Sequence, residues 1–383
     1  MNQLRDAFIT GTGVFMPGAP IGADRMEEFI GRVAGRPSMV GRRALRWNGI
    51  ETRHYALGED GRPLHSNASM CATATREALA EAGRDLRDLQ LLAAATTQGD
   101  LLVPGHAAAV HGELACGPLE IASFQSVCAS SLMAAKAAWQ GVRTGEAALA
   151  IATAGEFSSR WFRPEFYEGT SLVDAKGRLA MEADFLRWTL SDGAGAITVE
   201  DRPRSRGLSL RIDGIDLVSL AGRFDPCMWA GATSADRHDM TAAWSHAGPA
   251  AAFAQGRMAL LQDFEQLHAV IRAWVGVYLE FVDRGRIVPD QIDHLLCHYS
   301  ARSLRDEIVK LLEQTGGMIP QEKWFTNLAT HGNTGSASIW IMLDGLMKSG
   351  KLRPGEKILC VVPESGRAMV GFMHLTAVEG DAR

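Results

Sequence analysis

The sequence lacks the features that would indicate a membrane protein, a secreted protein or a metal site. None of its apolar runs reaches the roughly 20 residues that a helix needs to span a bilayer. The opening segment MNQLRDAFITGTGVFMPG has neither the basic start nor the continuous apolar run of a signal peptide. The six cysteines form no CxxC pair, so the sequence indicates neither a zinc site nor a disulfide framework. These absences predict a protein of the reducing cytoplasm that binds no metal.

An excess of positive charge is also missing. The 383 residues carry 39 Lys and Arg against 44 Asp and Glu, which gives a formal net charge of −5 and argues against nucleic-acid binding. The stretches GTGVF and DGAGA fit neither GxGxxG nor GxxxxGK[ST], so they give little support for a nucleotide cofactor. A hydrophobic content of 46% is typical of a globular protein, and the length suggests two domains or two halves around a shared centre.

Apolar runs of strand length alternate with alanine-rich helical stretches, which predicts an α/β fold. The predicted strands are AFITGTGVF, LQLLAAATT, AALAIATAGE, GAITVE, HLLCHYSA, KILCVVPE and MVGFMHLTAV. The predicted helices cover residues 67–82, 105–115, 129–144, 250–284, 302–315 and 335–349.

Two segments that are distant in the sequence have the same order of features: small residues, an amphipathic helix, a glycine and a strand. One reads CASSLMAAKAAWQGVRTGEAALAIATAGE from Cys128, and the other reads NTGSASIWIMLDGLMKSGKLRPGEKILCVVPESG from Asn333. Each passes through small residues into an amphipathic helix that ends at glycine, and the spacings match, since 145 − 128 = 17 and 350 − 333 = 17. We interpret the chain as a duplicated unit with halves 1–205 and 206–383, related by a pseudo-two-fold axis. Chance similarity between two βαβ units is the alternative.

A pseudo-two-fold axis would bring Cys128 and Asn333 together at the starts of two central helices. A helix N-terminus supplies free N–H groups that lower a cysteine pKa and can hold an oxyanion. No Asp or Glu stands next to Cys128 in the sequence, so we expect nothing local to raise the pKa of its thiol. A buried core role is the alternative for any cysteine, and it fits Cys71, Cys116, Cys227 and Cys360.

His298 and Asn333 complete the candidate site. His298 ends a predicted strand at its carboxyl end, where α/β folds place their sites, while Cys297 points to the opposite face. A neutral histidine and an asparagine amide can each donate a hydrogen bond to a developing enolate oxygen. The alternatives are a buried polar residue for His298 and a helix cap for Asn333. Cys, His and Asn together suit attack on a thioester followed by C–C or C–O bond formation.

In this order the motifs resemble the thiolase superfamily, specifically its ketoacyl synthase III-like condensing enzymes. The matching stretches are GTGVFMPG, NGIETRHYA, ATTQGDLLVPGHAAAVHGELA, SVCASSLMAA, LSDGAGAITVE, LLCHYSARSLRDEI and HGNTGSAS. The stretch IETRHYALGEDGRPLHSN is also similar to the branch that builds dialkylresorcinol-type lipids from two β-ketoacyl units. The resemblance implies a five-layered αβαβα fold, a homodimer and no resident cofactor.

The resemblance also implies roles for individual residues. Cys128 takes an acyl group from a thioester of coenzyme A or acyl carrier protein, with the oxyanion held by the N–H groups of Cys128 and Gly366. His298 and Asn333 then stabilise the enolate of a malonyl- or β-ketoacyl-type partner, whose attack releases a β-keto product. Transfer of the Cys128-bound acyl group to an alcohol or amine is the alternative activity.

The chain departs from the family pattern at the substrate entrance. In VGRRALRWNGI, Arg43 stands near the position where the family often has a tryptophan that stacks on coenzyme A, and Trp47 is displaced. We therefore expect Arg42, Arg43 and Arg46, with Trp47, to contact an acidic acyl carrier protein or coenzyme A. A solvated basic helix is the alternative.

Two further residues are expected at the acyl pocket. The resemblance places Val103 near the end of the pocket that the second subunit contributes, where a small residue suits an acyl group larger than acetyl. Trp229, in the divergent stretch 202–250, is expected to line or gate the pocket, with ordinary packing as the alternative.

Overall fold

The computed structural model describes residues 4–380, apart from the side chain of Arg42. Its strands are β1 (Phe8–Phe15), β2 (Ile21–Gly22), β3 (Thr52–Arg53), β4 (Leu91–Thr96), β5 (Glu120–Gln125), β6 (Leu149–Glu156), β7 (Gly193–Glu200), β8 (Leu208–Ser219), β9 (Met228–Trp229), β10 (Leu261–Gln262), β11 (His294–Cys297), β12 (Lys357–Glu364) and β13 (Met369–Glu379). Its α-helices are α1 (Met26–Ile30), α2 (Gly41–Asn48), α3 (Asn67–Ala82), α4 (His106–Leu114), α5 (Ser130–Thr144), α6 (Met181–Thr189), α7 (Trp244–Ala247), α8 (Pro249–Ala254), α9 (Phe264–Asp283), α10 (Arg302–Thr315), α11 (Leu328–His331) and α12 (Ser338–Lys348).

The large sheet of the described chain has nine strands in the order β11-β12-β13-β8-β1-β7-β6-β4-β5. On one side β4 pairs in parallel with β6, and β6, β7 and β1 follow in antiparallel pairs. On the other side β11 pairs in parallel with β12, and β12, β13 and β8 follow in antiparallel pairs. The two sides meet where β1 pairs with β8. Strands of residues 1–205 therefore occupy one side and strands of 206–383 the other. The interpretation of a duplicated unit stays a prediction.

The apolar core shows how the elements stack. Helices α5 and α12 lie between the two sides of the sheet, in a cluster that contains Leu132, Trp340 and Met373. Helices α3 and α4 cover the other face of the first side, and α9 and α10 cover the other face of the second side. Alternation along the strands separates these layers, because Ile358 packs in the central cluster while Leu359 packs under α9 and α10. The layers follow the order αβαβα.

Most of the predicted elements occur near their predicted positions. Gly145 and Gly350 end the two central helices with φ of 82° and 69°, in the left-handed region that glycine tolerates. Strand β11 ends earlier than predicted, because the N–H of Tyr299 bonds back to the carbonyl of Cys297 at 3.0 Å. The predicted helix over 250–284 is instead two helices, interrupted at Gly256 with φ of 71° and by the short strand β10. The long strand β8 is absent from the predicted strands.

Within residues 4–380, none of the helices combines the length and apolar character of a membrane span. The cytoplasmic location expected from the cysteine pattern stays a prediction.

Candidate active site

Cys128, His298 and Asn333 line one cavity at the ends of elements from both sides of the sheet. Cys128 lies two residues before α5, His298 follows β11, and Asn333 precedes the turn that opens α12. The fold therefore brings together three residues that are far apart in the sequence. Their catalytic roles are argued below as a proposal.

The turn before α5 presents Cys128, which is 7% exposed. The carbonyl of Val127 accepts hydrogen bonds from the Ser130 N–H at 3.3 Å and from the Ser130 hydroxyl at 2.7 Å. The Ser131 hydroxyl donates to the carbonyl of Cys128 at 2.9 Å. The two serines thus hold the turn from within the first residues of the helix, which agrees with the preference of serine for helix starts.

The pKa of the Cys128 thiol contradicts the expectation from the sequence. Burial raises this pKa well above its usual value, and the carboxylates of Glu364 and Glu156 raise it further. These two effects exceed the lowering that the helix N-terminus provides. Cys128 is consequently a thiol at neutral pH, and its proton must leave during the attack on a substrate.

His298 is buried, and its imidazole Nε2 has no hydrogen-bond partner among the described residues. Its backbone N–H donates to the carbonyl of Val361 at 2.8 Å and keeps the residue against β12. Burial lowers the pKa of His298 to about 4, so the imidazole is neutral at neutral pH. A neutral imidazole can donate one hydrogen bond and accept another. A buried ring nitrogen with this capacity points to a polar group of a ligand.

Asn333 has both a capping bond and a place in the cavity. Its side-chain Oδ1 accepts a hydrogen bond from the Gly335 N–H at 2.9 Å, and its carbonyl accepts one from the Ser191 N–H at 2.8 Å. With Oδ1 engaged, the amide Nδ2 is the group that can donate to a ligand. Gly335 has φ of 52°, and a Cβ there would lie 3.0 Å from the Glu156 side chain, so this turn requires glycine.

Apolar side chains form most of the remaining wall. This part of the cavity is lined by Val127, Phe185, Leu186, Leu190, Met228, Leu267, Trp274, Leu304, Ile308 and Pro363. A second apolar cavity, between helices α9 and α10 and the strands β11 to β13, shares Trp274, Ile308 and Pro363 with the first. These three side chains border both cavities, so apolar surface is present on both sides of them.

The other residues expected at the pocket lie outside this cavity. Trp229 packs with Tyr167 and Leu261, and its indole N–H donates to the carbonyl of Ala232 at 3.2 Å. The neighbouring Met228 lines the cavity instead, because successive side chains of a strand point to opposite faces. Val103 is 81% exposed in a loop before α4, away from the cavity of its own chain.

The expected oxyanion-hole glycine lies next to the site. Gly366 follows Ser365, which lines the cavity, and a Cβ on Gly366 would lie 2.9 Å from Val127. The carbonyl of Ser365, which belongs to the same peptide as the Gly366 N–H, accepts a hydrogen bond from the Met228 N–H at 3.1 Å, and this bond orients that peptide. The use of the Gly366 N–H as an oxyanion donor stays a prediction.

The basic residues expected to contact the substrate carrier lie on α2, outside the cavity. Arg43 and Arg46 are exposed, and Trp47 is half-exposed. The Arg43 guanidinium lies 5.7 Å from the centroid of the Trp47 ring, which is a cation–π contact one helical turn apart. The side chain of Arg42 lies outside the described part of the structure.

Sequence reasoning missed two buried carboxylates beside the site, those of Glu156 and Glu364. They were overlooked because neither is near Cys128 in the sequence. A signal was nevertheless present: the two strands that follow the repeated helices, AALAIATAGE and KILCVVPE, both end in glutamate. Within residues 4–380, no group of three or more His, Cys, Asp or Glu side chains could hold a metal ion.

Two family models match stretches of the chain. Residues 120–204 match the model of the β-ketoacyl synthase N-terminal domain, and residues 282–372 match that of the C-terminal part of 3-oxoacyl-[acyl-carrier-protein] synthase III. The chain is 26% identical over 359 residues to the β-ketoacyl-[acyl-carrier-protein] synthase III of Hyphomonas neptunium, covering 93% of this chain and 94% of that protein.

Two solved structures show the same fold. The 3-oxoacyl-[acyl-carrier-protein] synthase III from Aquifex aeolicus has a TM-score of 0.70 at 20% identity, covering 97% of this chain and 99% of its own. The tetronic acid condensing enzyme AbyA1 has a TM-score of 0.75 at 19% identity, with the same coverage of 97% and 99%. These likenesses confirm the predicted fold class. Two stretches of the chain therefore match β-ketoacyl synthase family models, and nearly its whole length is similar to β-ketoacyl-[acyl-carrier-protein] synthase III.

Proposed function

We propose that the protein joins an acyl group, held on Cys128, to the enolate of a second thioester by forming a C–C bond. The observation that carries this proposal is the buried Nε2 of His298, which lacks a protein partner among the described residues and belongs to the same cavity as Cys128 and Asn333. Two neutral donors beside a nucleophile suit an oxygen that gains negative charge. Neither donor is needed for simple storage of an acyl group.

In the first half-reaction, the Cys128 sulfur attacks the carbonyl carbon of an acyl thioester. A bond forms between that carbon and sulfur, and the bond from the carbon to the donor's sulfur breaks. The donor leaves as a free thiol with the proton that Cys128 loses. The N–H groups of Cys128 and Gly366 are proposed to hold the oxyanion of the tetrahedral intermediate.

In the second half-reaction, His298 and Asn333 hold the thioester oxygen of the partner. A malonyl-type partner loses CO₂, and the electron pair of the broken bond forms an enolate whose oxygen these donors stabilise. The enolate carbon bonds to the acyl carbon, the bond from that carbon to Cys128 breaks, and the sulfur takes up a proton. A β-ketoacyl partner, as in the dialkylresorcinol branch, would lose a methylene proton instead of CO₂. The reaction needs no resident cofactor.

The apolar lining favours an acyl donor with a hydrocarbon chain. The acyl chain would lie against the apolar wall that includes Trp274 and Ile308, and movement of these side chains would open the second apolar cavity to it. Burial of each methylene against such a wall contributes about 0.8 kcal/mol. A chain longer than acetyl therefore fits the site better than a charged or short acyl group.

We further propose that the exposed basic face of α2 contacts the acidic carrier of the substrate. A double variant with Arg43→Glu and Arg46→Glu is expected to raise the KM for substrate bound to carrier protein roughly tenfold, with kcat unchanged, because the contact is electrostatic and at the rim. Steady-state kinetics at low and high salt measure this effect, which salt should weaken.

The matched control replaces Arg87 and Lys351, which are exposed elsewhere, with glutamate. It changes the net charge equally and should leave the KM unaltered. Equal KM values for the two double variants would refute the role of α2.

The sheet edge at β5 is the surface proposed for a second copy of the chain. β5 is the last strand on its side, Ile121 is exposed, and Leu101, Leu102 and Val103 expose apolar side chains nearby in the loop before α4. An unpaired edge beside apolar residues is a template for strand addition. Sedimentation should give the mass of two chains, and a monomer at micromolar concentration would contradict the proposal.

The condensation itself is tested by product analysis. Wild-type protein is given an acyl thioester and then a malonyl- or β-ketoacyl-carrier protein, and the products are resolved by mass spectrometry. We expect a β-keto product whose carbon chain contains both substrates. If the label of the acyl donor appears only in an ester or amide when alcohols and amines are supplied, transfer to oxygen or nitrogen replaces the proposal.

A further inference from the structure

A buried carboxylate from the second half holds the turn that carries Cys128. Glu364 is the last residue of β12 and is 2% exposed. One of its oxygens accepts a hydrogen bond from the Ser126 hydroxyl at 2.5 Å, and the other accepts one from the Ala129 N–H at 3.0 Å. These two donors stand on either side of Cys128 in the sequence. Glu364 therefore bridges both flanks of the nucleophile from another element of the fold.

The second buried carboxylate, Glu156, makes corresponding contacts from the first side of the sheet to the turn before α12. Glu156 is the last residue of β6, and its Oε1 accepts hydrogen bonds from the Ser336 N–H at 3.2 Å and hydroxyl at 2.6 Å. The same oxygen accepts bonds from the Thr97 N–H at 3.0 Å and hydroxyl at 2.8 Å. The strand after each central helix thus ends in a glutamate that holds the start of the other central helix.

We propose that Glu364 is a positioning residue, whose carboxylate clamps the turn around Cys128 and places a negative charge beside its sulfur. Glu156 has the equivalent position at the Asn333 turn and is the weaker of the two neighbours of Cys128. The inference rests on the proposed role of Cys128 as the acylated residue, and it adds how that residue is held and when it reacts.

The charges around the Cys128 sulfur determine the direction in which loss of the Glu364 charge shifts the pH dependence of Cys128 reactivity. The titratable groups that face Cys128 are Glu364 from β12, Glu156 from β6, and His298 and Tyr299 after β11. Burial raises the pKa of Glu364, and hydrogen bonds from Ser126 and the turn oppose that rise. Both oxygens of Glu364 accept hydrogen bonds, as those of a charged carboxylate do. A carboxylate disfavours a thiolate beside it. Removing its charge must therefore lower the pH at which Cys128 becomes reactive.

Glu364→Gln separates the charge from the clamp. The glutamine oxygen can accept from the Ala129 N–H, and its amide can donate to the Ser126 hydroxyl, so both flanks stay bonded while the charge is lost. Glu364→Asp keeps the charge on a shorter side chain, and Glu364→Ala removes both charge and bonds.

The test measures the alkylation rate of Cys128 by iodoacetamide from pH 6 to 10, by mass spectrometry of the peptide that contains it. We expect the profile of Glu364→Gln to move down by about one pH unit, which is roughly a tenfold faster rate at a pH below the midpoint. Glu156→Gln should move the profile the same way by less, and Glu364→Asp should restore the wild-type midpoint. A purely structural role for Glu364 would change stability without moving the midpoint.

The matched control is Glu200→Gln. Glu200 is also a buried carboxylate at the end of a strand, but it pairs with Arg84 at 2.6 Å and is not among the groups that act on Cys128. Its profile should superpose on that of the wild type. The inference is overturned if Glu364→Gln superposes as well, or if Glu200→Gln moves equally. Alkylation needs no acyl donor, so this result is independent of whether the protein condenses thioesters.

Discussion

Cys128→Ala should abolish acyl-enzyme formation. Wild-type protein incubated with an acyl thioester gains the mass of the acyl group, and the variant keeps its unmodified mass. Loss of a covalent nucleophile removes the acylated intermediate outright, so we expect condensation to fall by about a thousandfold or more. Intact-protein mass spectrometry and the condensation assay measure the two effects separately.

The expectation is sharp because the other cysteines lie elsewhere. Cys71, Cys297 and Cys360 are buried in the apolar clusters around the sheet, and burial raises the pKa of each thiol. Cys116 is partly exposed and is the matched control. Cys116→Ala should acylate as the wild type does. Acyl adducts of equal abundance in Cys128→Ala would show that another residue is the nucleophile.

The repeat in the sequence explains why much of the site could be predicted. Equal spacing from Cys128 and Asn333 to a helix-ending glycine reflects local rules, since helix length and the left-handed turn are set by nearby residues. The two helix starts lie at one cavity, as the predicted pseudo-two-fold axis would place them. His298 stands at the carboxyl end of a strand, where the fold opens, but this position left a buried polar role open, and the family resemblance supplied its predicted role.

The carboxylates beside Cys128 depend on contacts that local sequence does not contain. Glu364 bonds the Ala129 N–H across 235 positions of the chain, and Glu156 bonds Ser336 across 180. The prediction of a lowered Cys128 pKa therefore included the effect of the helix N-terminus but not the opposite effect of the Glu364 and Glu156 carboxylates. Both carboxylates could have been predicted by expecting the last residue of the strand after each repeated helix to contact the start of the other repeated helix.

The acyl pocket shows a second limit of prediction from the sequence, because strand register decides which of two adjacent residues faces a cavity. Strand β9 has only two residues, too few for an alternating pattern, so its sequence could not show whether Met228 or Trp229 points inward. Pairing with β10 settles the register and turns Met228 toward the cavity.

His298→Ala should separate the two half-reactions. The variant is expected to form the acyl-enzyme, because Cys128 and its turn are unchanged, and to lose condensation by roughly 100- to 1,000-fold, because one of the two donors to the enolate oxygen is gone. Since the pKa of His298 is about 4, most of the imidazole is neutral above that pH and can both donate and accept a hydrogen bond. Condensation that depends on this form should fall as the pH drops through about 4, without a corresponding step near 6.5.

His294→Ala is the matched control, because His294 begins the same strand β11 at the end away from His298, bonds Glu356 at 2.9 Å and does not line the cavity. Substituting it tests whether a histidine lost from this strand is enough to disturb the site, and we expect near wild-type condensation. If His298→Ala condenses as fast as His294→Ala, the unpartnered Nε2 serves no oxygen in the reaction, and the enolate would have to be held by Asn333 alone. If His298→Ala instead loses acylation while keeping its fold, the imidazole acts on the Cys128 proton in the first half-reaction. The assignment of His298 to the second half-reaction alone would then be wrong.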